Sequence, residues 1–149
     1  MGSRITMPFC ITGSKLFAVS QTGAFLAEGV PQWDSQDEHG DTKLLIDDRQ
    51  KAQSLARSMK GISTLLLRGH GMVQIGYQLQ ELVHKCVFAC REAETILSAV
   101  SLGAPIPLLP GEIETIGMPS HTATARSWSH WTKQLNDKRR GQIEKEREL

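Results

Sequence analysis

The stretch Leu65-Leu66-Leu67-Arg68-Gly69-His70-Gly71-Met72-Val73 contains the one histidine whose surroundings suggest a chemical task. Apolar residues run into Gly-His-Gly and a second short apolar run leaves it, the pattern of two strands joined by a tight turn. Glycines on both sides let the backbone turn sharply and leave the imidazole uncrowded. An imidazole so placed could offer one ring nitrogen to a divalent metal while a nearby acceptor holds the other. It could equally just close a hairpin. The residues alone leave both readings open.

The other candidates read as structural. His39, His84, His121 and His130 show no His-x-His spacing. His84 sits beside the apolar stripe of a long helical segment, which suits a core or interface histidine. Cys86 and Cys90 are four residues apart, on one helix face, and without a second ligand pair they read as buried apolar cysteines. Trp128 and Trp131 at helical spacing suit packing or a subunit contact. Ser127, Ser129 and His130 lack a nucleophile-elbow setting, and no phosphate-cradling glycine motif occurs.

Several elements must position these residues. Met7–Ile11 reads as extended, Lys15–Val19 as a short strand, and Val30–Asp34 as an edge strand, because Pro31 cannot donate to a ladder. The acidic run 34–41 reads as a solvated loop. Asp41 or Thr42 would cap a helix over 43–60, stopped by Gly61. A longer helix is expected over 79–102, with Leu82, Val83, Val87 and Leu97 on its core face, and Gly103, Pro105 and Pro107 beyond its end. Residues 104–111 form a stiff extended linker. The chain is helical again from Thr122 and ends in mixed charge. This divides it into a domain over 1–135 and a charged tail over 136–149.

Composition bounds the function. The chain has 149 residues, a formal net charge of +1, 40% hydrophobic and 22% charged residues. That is a folded chain of one-domain size. Its near-neutral charge argues against nucleic-acid binding through bulk electrostatics. No apolar run is long enough to span a bilayer, so no membrane partner is expected, and no secretory signal opens the chain. Three cysteines without framework spacing suit a reducing compartment, read as the cytoplasm.

The Leu65–Val73 segment resembles the Arg-Gly-His-Gly signature of the class II aldolase/adducin superfamily. Gly76 and a helix opening with Glu81 follow as in that family. Pro8-Phe9, Thr12-Gly13, Val19-Ser20-Gln21, Gly23-Ala24-Phe25-Leu26 and Val30-Pro31-Gln32-Trp33-Asp34 are similar to its decarboxylase-like branch of secondary metabolism, as is the Arg126, Trp128, Trp131 pattern. The resemblance covers most of residues 7–135. It implies a three-layer α/β/α domain, a homo-oligomer with active sites between subunits, and a divalent metal, usually zinc, bound by three histidines. Two of these come from a His-x-His pair and the third from the glycine turn, so His70 is the implied metal ligand here; no catalytic residue is assigned.

The implied activity is that of a class II aldolase-like lyase, a metal-dependent decarboxylase of a small oxygenated or aromatic carboxylate. The His-x-His pair belongs just before Pro8, yet residues 1–6 hold no histidine. The expectation is therefore a domain lacking its N-terminal part, its zinc and activity impaired. The alternative is a non-catalytic, adducin-like oligomerisation module.

Overall fold

Successive side chains of a strand point to opposite faces, and the run Thr64–Leu67 uses both. In the computed structural model, which describes residues 2–147, Leu66 packs on one side with Phe9, Cys10, Phe25, Ala89, Ala93 and Ile96. Leu65 and Leu67 face the other way and join Trp33, Leu55 and Met59. A strand buried on both faces needs a helical layer above and below. This is the three-layer α/β/α arrangement implied by the resemblance.

The elements in order are α1 (Gly2–Ile11), a 3-10 helix (Gln21–Leu26), β1 (Gln32–Trp33), α2 (Ser35–His39), α3 (Arg49–Ser58), β2 (Thr64–Leu67), β3 (Gly71–Gln74), α4 (Leu79–Ala99), α5 (Pro110–Ile116) and α6 (His121–Arg147). The sheet order is β1-β2-β3. β1 runs parallel to β2, with Gln32 opposite Leu66. β2 and β3 form the expected antiparallel pair, with Leu67 opposite Gly71. α1 and α4 lie on the Leu66 face and α3 on the other.

Several sequence expectations are corrected. Met7–Ile11 is helical, not extended, and Pro8 lies inside α1. Tertiary packing outweighs proline's local cost there, because α1 buries Thr6, Phe9 and Cys10 against β3 and α4. Lys15–Val19 is outside the sheet; Ala18 N–H donates to Ala27 O at 3.1 Å and Val30 N–H to Leu16 O at 2.7 Å, so this segment pairs locally. The acidic loop contains the short helix α2, with the Asp34 side chain accepting from Gln36 N–H.

The next helix starts at Arg49 rather than near residue 43. Leu44 has φ 57°, which no helix accommodates, and Asp48 is the cap, accepting from Lys51 N–H. The 104–111 linker ends early, because Pro110 opens α5.

The long helix is where expected but rotated about its axis. Its buried residues are His84, Lys85, Ala89, Glu92, Ala93 and Ile96. Leu82, Val83 and Val87 are only half-buried, and Leu97 is 42% exposed. Two alanines on the inward face let α1 and the sheet approach closely. The buried charges are compensated: Lys85 pairs with Glu81 at 2.6 Å, and Glu92 accepts from Val19 N–H, Ser20 N–H and Ser20 Oγ.

Among the described residues no helix is long and apolar enough to cross a membrane. α6 continues as one helix past residue 135.

Candidate functional site

The turn Arg68-Gly69-His70 joins β2 to β3. His70 N–H donates back to Leu67 O at 3.1 Å, closing a tight turn. Gly69 has φ 66° and Gly71 φ 139°, conformations that favour glycine. A Cβ on Gly69 would also lie 2.9 Å from Leu44 Cδ1.

Two neighbours fix this turn. The C-terminal end of α1 holds it on both sides of His70: Gly69 N–H donates to Cys10 O at 3.1 Å, and Cys10 Sγ–H donates to Gly71 O at 3.1 Å. Arg68 forms an ion pair with Asp34 and gives its N–H to Trp33 O, which ties the turn to the end of β1. Burial works against the Asp34 carboxylate, but the Gln36 N–H and the Arg68 guanidinium outweigh it and hold the carboxyl below its ordinary range. His70 is left exposed on a braced support.

Among the described residues no group of three or more His, Cys, Asp or Glu side chains is placed to hold a metal ion. His39 ends α2 with its Nε2 buried and without a hydrogen-bond partner, while His121 and His130 are exposed on α6. A catalytic zinc takes three protein ligands and a water. The described residues do not fit that requirement.

The cysteines are not poised as nucleophiles. Burial raises the thiols of Cys10, Cys86 and Cys90, and the neighbouring sulfur adds to the shift at Cys86. At neutral pH they remain thiols, which are poor nucleophiles and poor metal ligands.

A second polar group lies on the opposite side of α4 from solvent. His84 is buried, with Nδ1 3.2 Å from Ser127 Oγ of α6 and its ring 4.4 Å from the Phe88 ring. The sequence reading of His84 as a core histidine agrees with this. Ser127 gave no signal, because its partner is 43 positions away in the chain. Trp131 packs within the chain against Phe88 and His84.

Burial, and then the charge of Lys85, lower the pKa of His84 below its ordinary 6.5. The unfolded chain therefore takes up this proton more readily than the folded one. The stabilising contribution is complete above about pH 6.5 and is lost as pH falls through the folded-state value. The melting temperature should drop between about pH 7.5 and about pH 5.5, and the drop should be shallower in His84→Gln, read by circular dichroism. Equal slopes in the two proteins would assign the drop to other groups.

The structure superimposes on an aldolase II superfamily protein from Pseudomonas syringae with a TM-score of 0.69 and 16% identity, over 91% of this chain and 54% of that one. The fold is that of the aldolase II superfamily. This bears out the architecture implied by the resemblance. No protein-family model matches the chain. In sequence the chain is 26% identical, over 153 aligned positions, to decarboxylase tropJ of Talaromyces stipitatus, covering 87% of this chain and 57% of that protein. The chain thus spans little more than half the length of each of these two proteins. The likeness to a decarboxylase agrees with the branch suggested by Val30–Asp34 and by Arg126, Trp128 and Trp131.

Proposed function

We propose that the chain carries the glycine-turn part of a carbon–carbon lyase site of decarboxylase type, acting on a small oxygenated or aromatic carboxylate. The observation that carries this reading is His70, an exposed imidazole on a turn braced by Cys10 and Asp34. The aldolase II fold and the similarity to a decarboxylase support it.

Loss of carbon dioxide leaves an electron pair on the substrate skeleton, and that charge must settle on an oxygen. A fixed imidazole can donate a hydrogen bond to such an oxygen or return the proton to carbon. Proteins of this superfamily typically use a divalent metal for that charge. A zinc at His70 would need donors beyond the described residues.

Carboxyl-labelled one-ring and short hydroxylated acids test the reading. Slow release of labelled carbon dioxide is expected from the wild-type chain, reduced at least about tenfold in His70→Ala, the lower end of what general acid–base catalysis and fixed charge stabilisation supply. Wild type releasing no label from any of these acids would sink the proposal. Mass spectrometry should find less than one zinc per chain in the dialysed protein. One tightly held zinc per chain, lost in His70→Ala, would instead reveal a complete site.

A second reading, a non-catalytic assembly module, is favoured by one observation. Leu102, Ile106 and Leu109 are largely exposed on the segment between α4 and α5, an apolar surface suited to a second copy. A chain that associates but releases no label would follow this reading.

A further inference from the structure

A cavity of about 260 Å³ lies between the 3-10 helix, α4 and the junction of α5 with α6. No residue of the Arg68–Gly71 turn lines it. Its walls are of two kinds. Phe25, Phe88 and Met118 are apolar, while His84, Arg126 and Ser127 bring polar atoms into it.

The polar group is preorganised. His84 is 4% exposed and held from two directions, by Ser127 Oγ at 3.2 Å from Nδ1 and by the tilted Phe88 ring. Phe88 is itself fixed, with the Arg91 guanidinium 5.0 Å from its centroid and Trp131 beside it. A neutral imidazole and a hydroxyl together present one donor and one acceptor, which suits a ligand hydroxyl. Arg126 forms no ion pair with any described carboxylate, so its guanidinium is open to a ligand. A guanidinium at the wall of a cavity that also holds two phenylalanines is suited to a planar anion, which it can grip with two parallel hydrogen bonds.

Size narrows the ligand. An apolar cavity of about 150 Å³ accepts a benzene ring, so this one has room for a single ring with a carboxylate and a hydroxyl. We infer that the cavity formed by His84, Ser127, Arg126, Phe25 and Phe88 is a binding site for a one-ring aromatic carboxylate, the carboxylate on Arg126 and the ring between the two phenylalanines. The site is independent of His70 and of turnover, so a failed lyase assay leaves it standing.

The test is calorimetric titration of the full chain with 4-hydroxybenzoate, and with the neutral 4-hydroxybenzyl alcohol. Saturable binding of one acid per chain is expected, with the alcohol weaker by about tenfold or more, since a charge-assisted contact is lost. Arg126→Gln should weaken the acid by a similar factor and leave the alcohol unchanged. Arg126→Lys, which keeps the charge without the fork, should fall between. His70→Ala should bind as wild type does. Arg126 is exposed, so these variants should fold, which circular dichroism verifies. No saturable binding, equal affinity for acid and alcohol, or a loss that follows His70 rather than Arg126 would each overturn the assignment.

Discussion

Replacing Gly23 by alanine should cost the fold about as much as removing Glu92, and the two losses should not add. Glu92 is 2% exposed and reaches from α4 across to the start of the 3-10 helix. There its carboxylate accepts from Val19 N–H at 2.7 Å, from Ser20 N–H at 3.1 Å and from Ser20 Oγ. These backbone groups have no strand partner, because Lys15–Val19 is outside the sheet. Glu92→Ala would strand them, at about 1–3 kcal/mol per buried group left unsatisfied. A Cβ on Gly23 would fall inside the contact radius of Glu92 Cγ, Cδ and Oε2. The far end of a side chain can often move aside, but this one is buried and holds three donors. Gly23→Ala should therefore expel the carboxylate and lose the same contacts.

Urea denaturation of the two single variants and the double variant measures the coupling. Each single variant should lose on the order of 2–4 kcal/mol, and Gly23→Ala should add little once Glu92 is alanine, giving a coupling above about 1 kcal/mol. Full additivity would mean that Gly23 and Glu92 do not act through one another. The cavity depends on this anchor too, because Gln21, Thr22 and Phe25 of the 3-10 helix line it.

The parts of this fold legible in sequence are those fixed by local chemistry. Gly69 and Gly71 flank a turn whose positive φ angles admit few other residues, so the hairpin could be placed within a residue or two. Gly103 and the prolines after it bounded the long helix almost as well. What local rules missed depends on distant partners. α1 is helical despite Pro8 because β3 and α4 cover Phe9 and Cys10. The Cys10 clamp on Gly71 joins residues 61 positions apart. The candidate cavity is less legible still. His84 was visible as a histidine near an apolar stripe, but only the packing of α6 on α4 brings Ser127 and Arg126 beside it. No spacing rule links these residues. At the glycine turn the histidine was legible, and the lack of a three-donor group among the described residues became clear only with the geometry.

Ile96→Ala and Leu97→Ala should differ sharply, although the two side chains are neighbours in the chain and equal in size. Periodicity alone places Leu97 in a stripe with Leu82, Val83 and Val87, and a helix with that stripe inward would bury Leu97. The actual face is chosen by what the neighbours require. Ala89 and Ala93 permit close contact with α1 and the sheet, and Glu92 must reach Ser20; both conditions turn Ile96 inward. Ile96 is 4% exposed in the main core with Phe9, Phe25 and Leu66, whereas Leu97 is 42% exposed. Truncating a buried isoleucine removes its transfer free energy and leaves a void, at about 2–5 kcal/mol. Truncating a side chain already half in water should cost under about 1 kcal/mol, since little apolar area is newly lost. Chemical denaturation of the two variants should show the midpoint falling steeply for Ile96→Ala and scarcely for Leu97→Ala. The reverse order would place α4 in the rotation that periodicity suggests, with His84 and Glu92 toward solvent, and would remove the buried His84–Ser127 pair on which the carboxylate cavity is built.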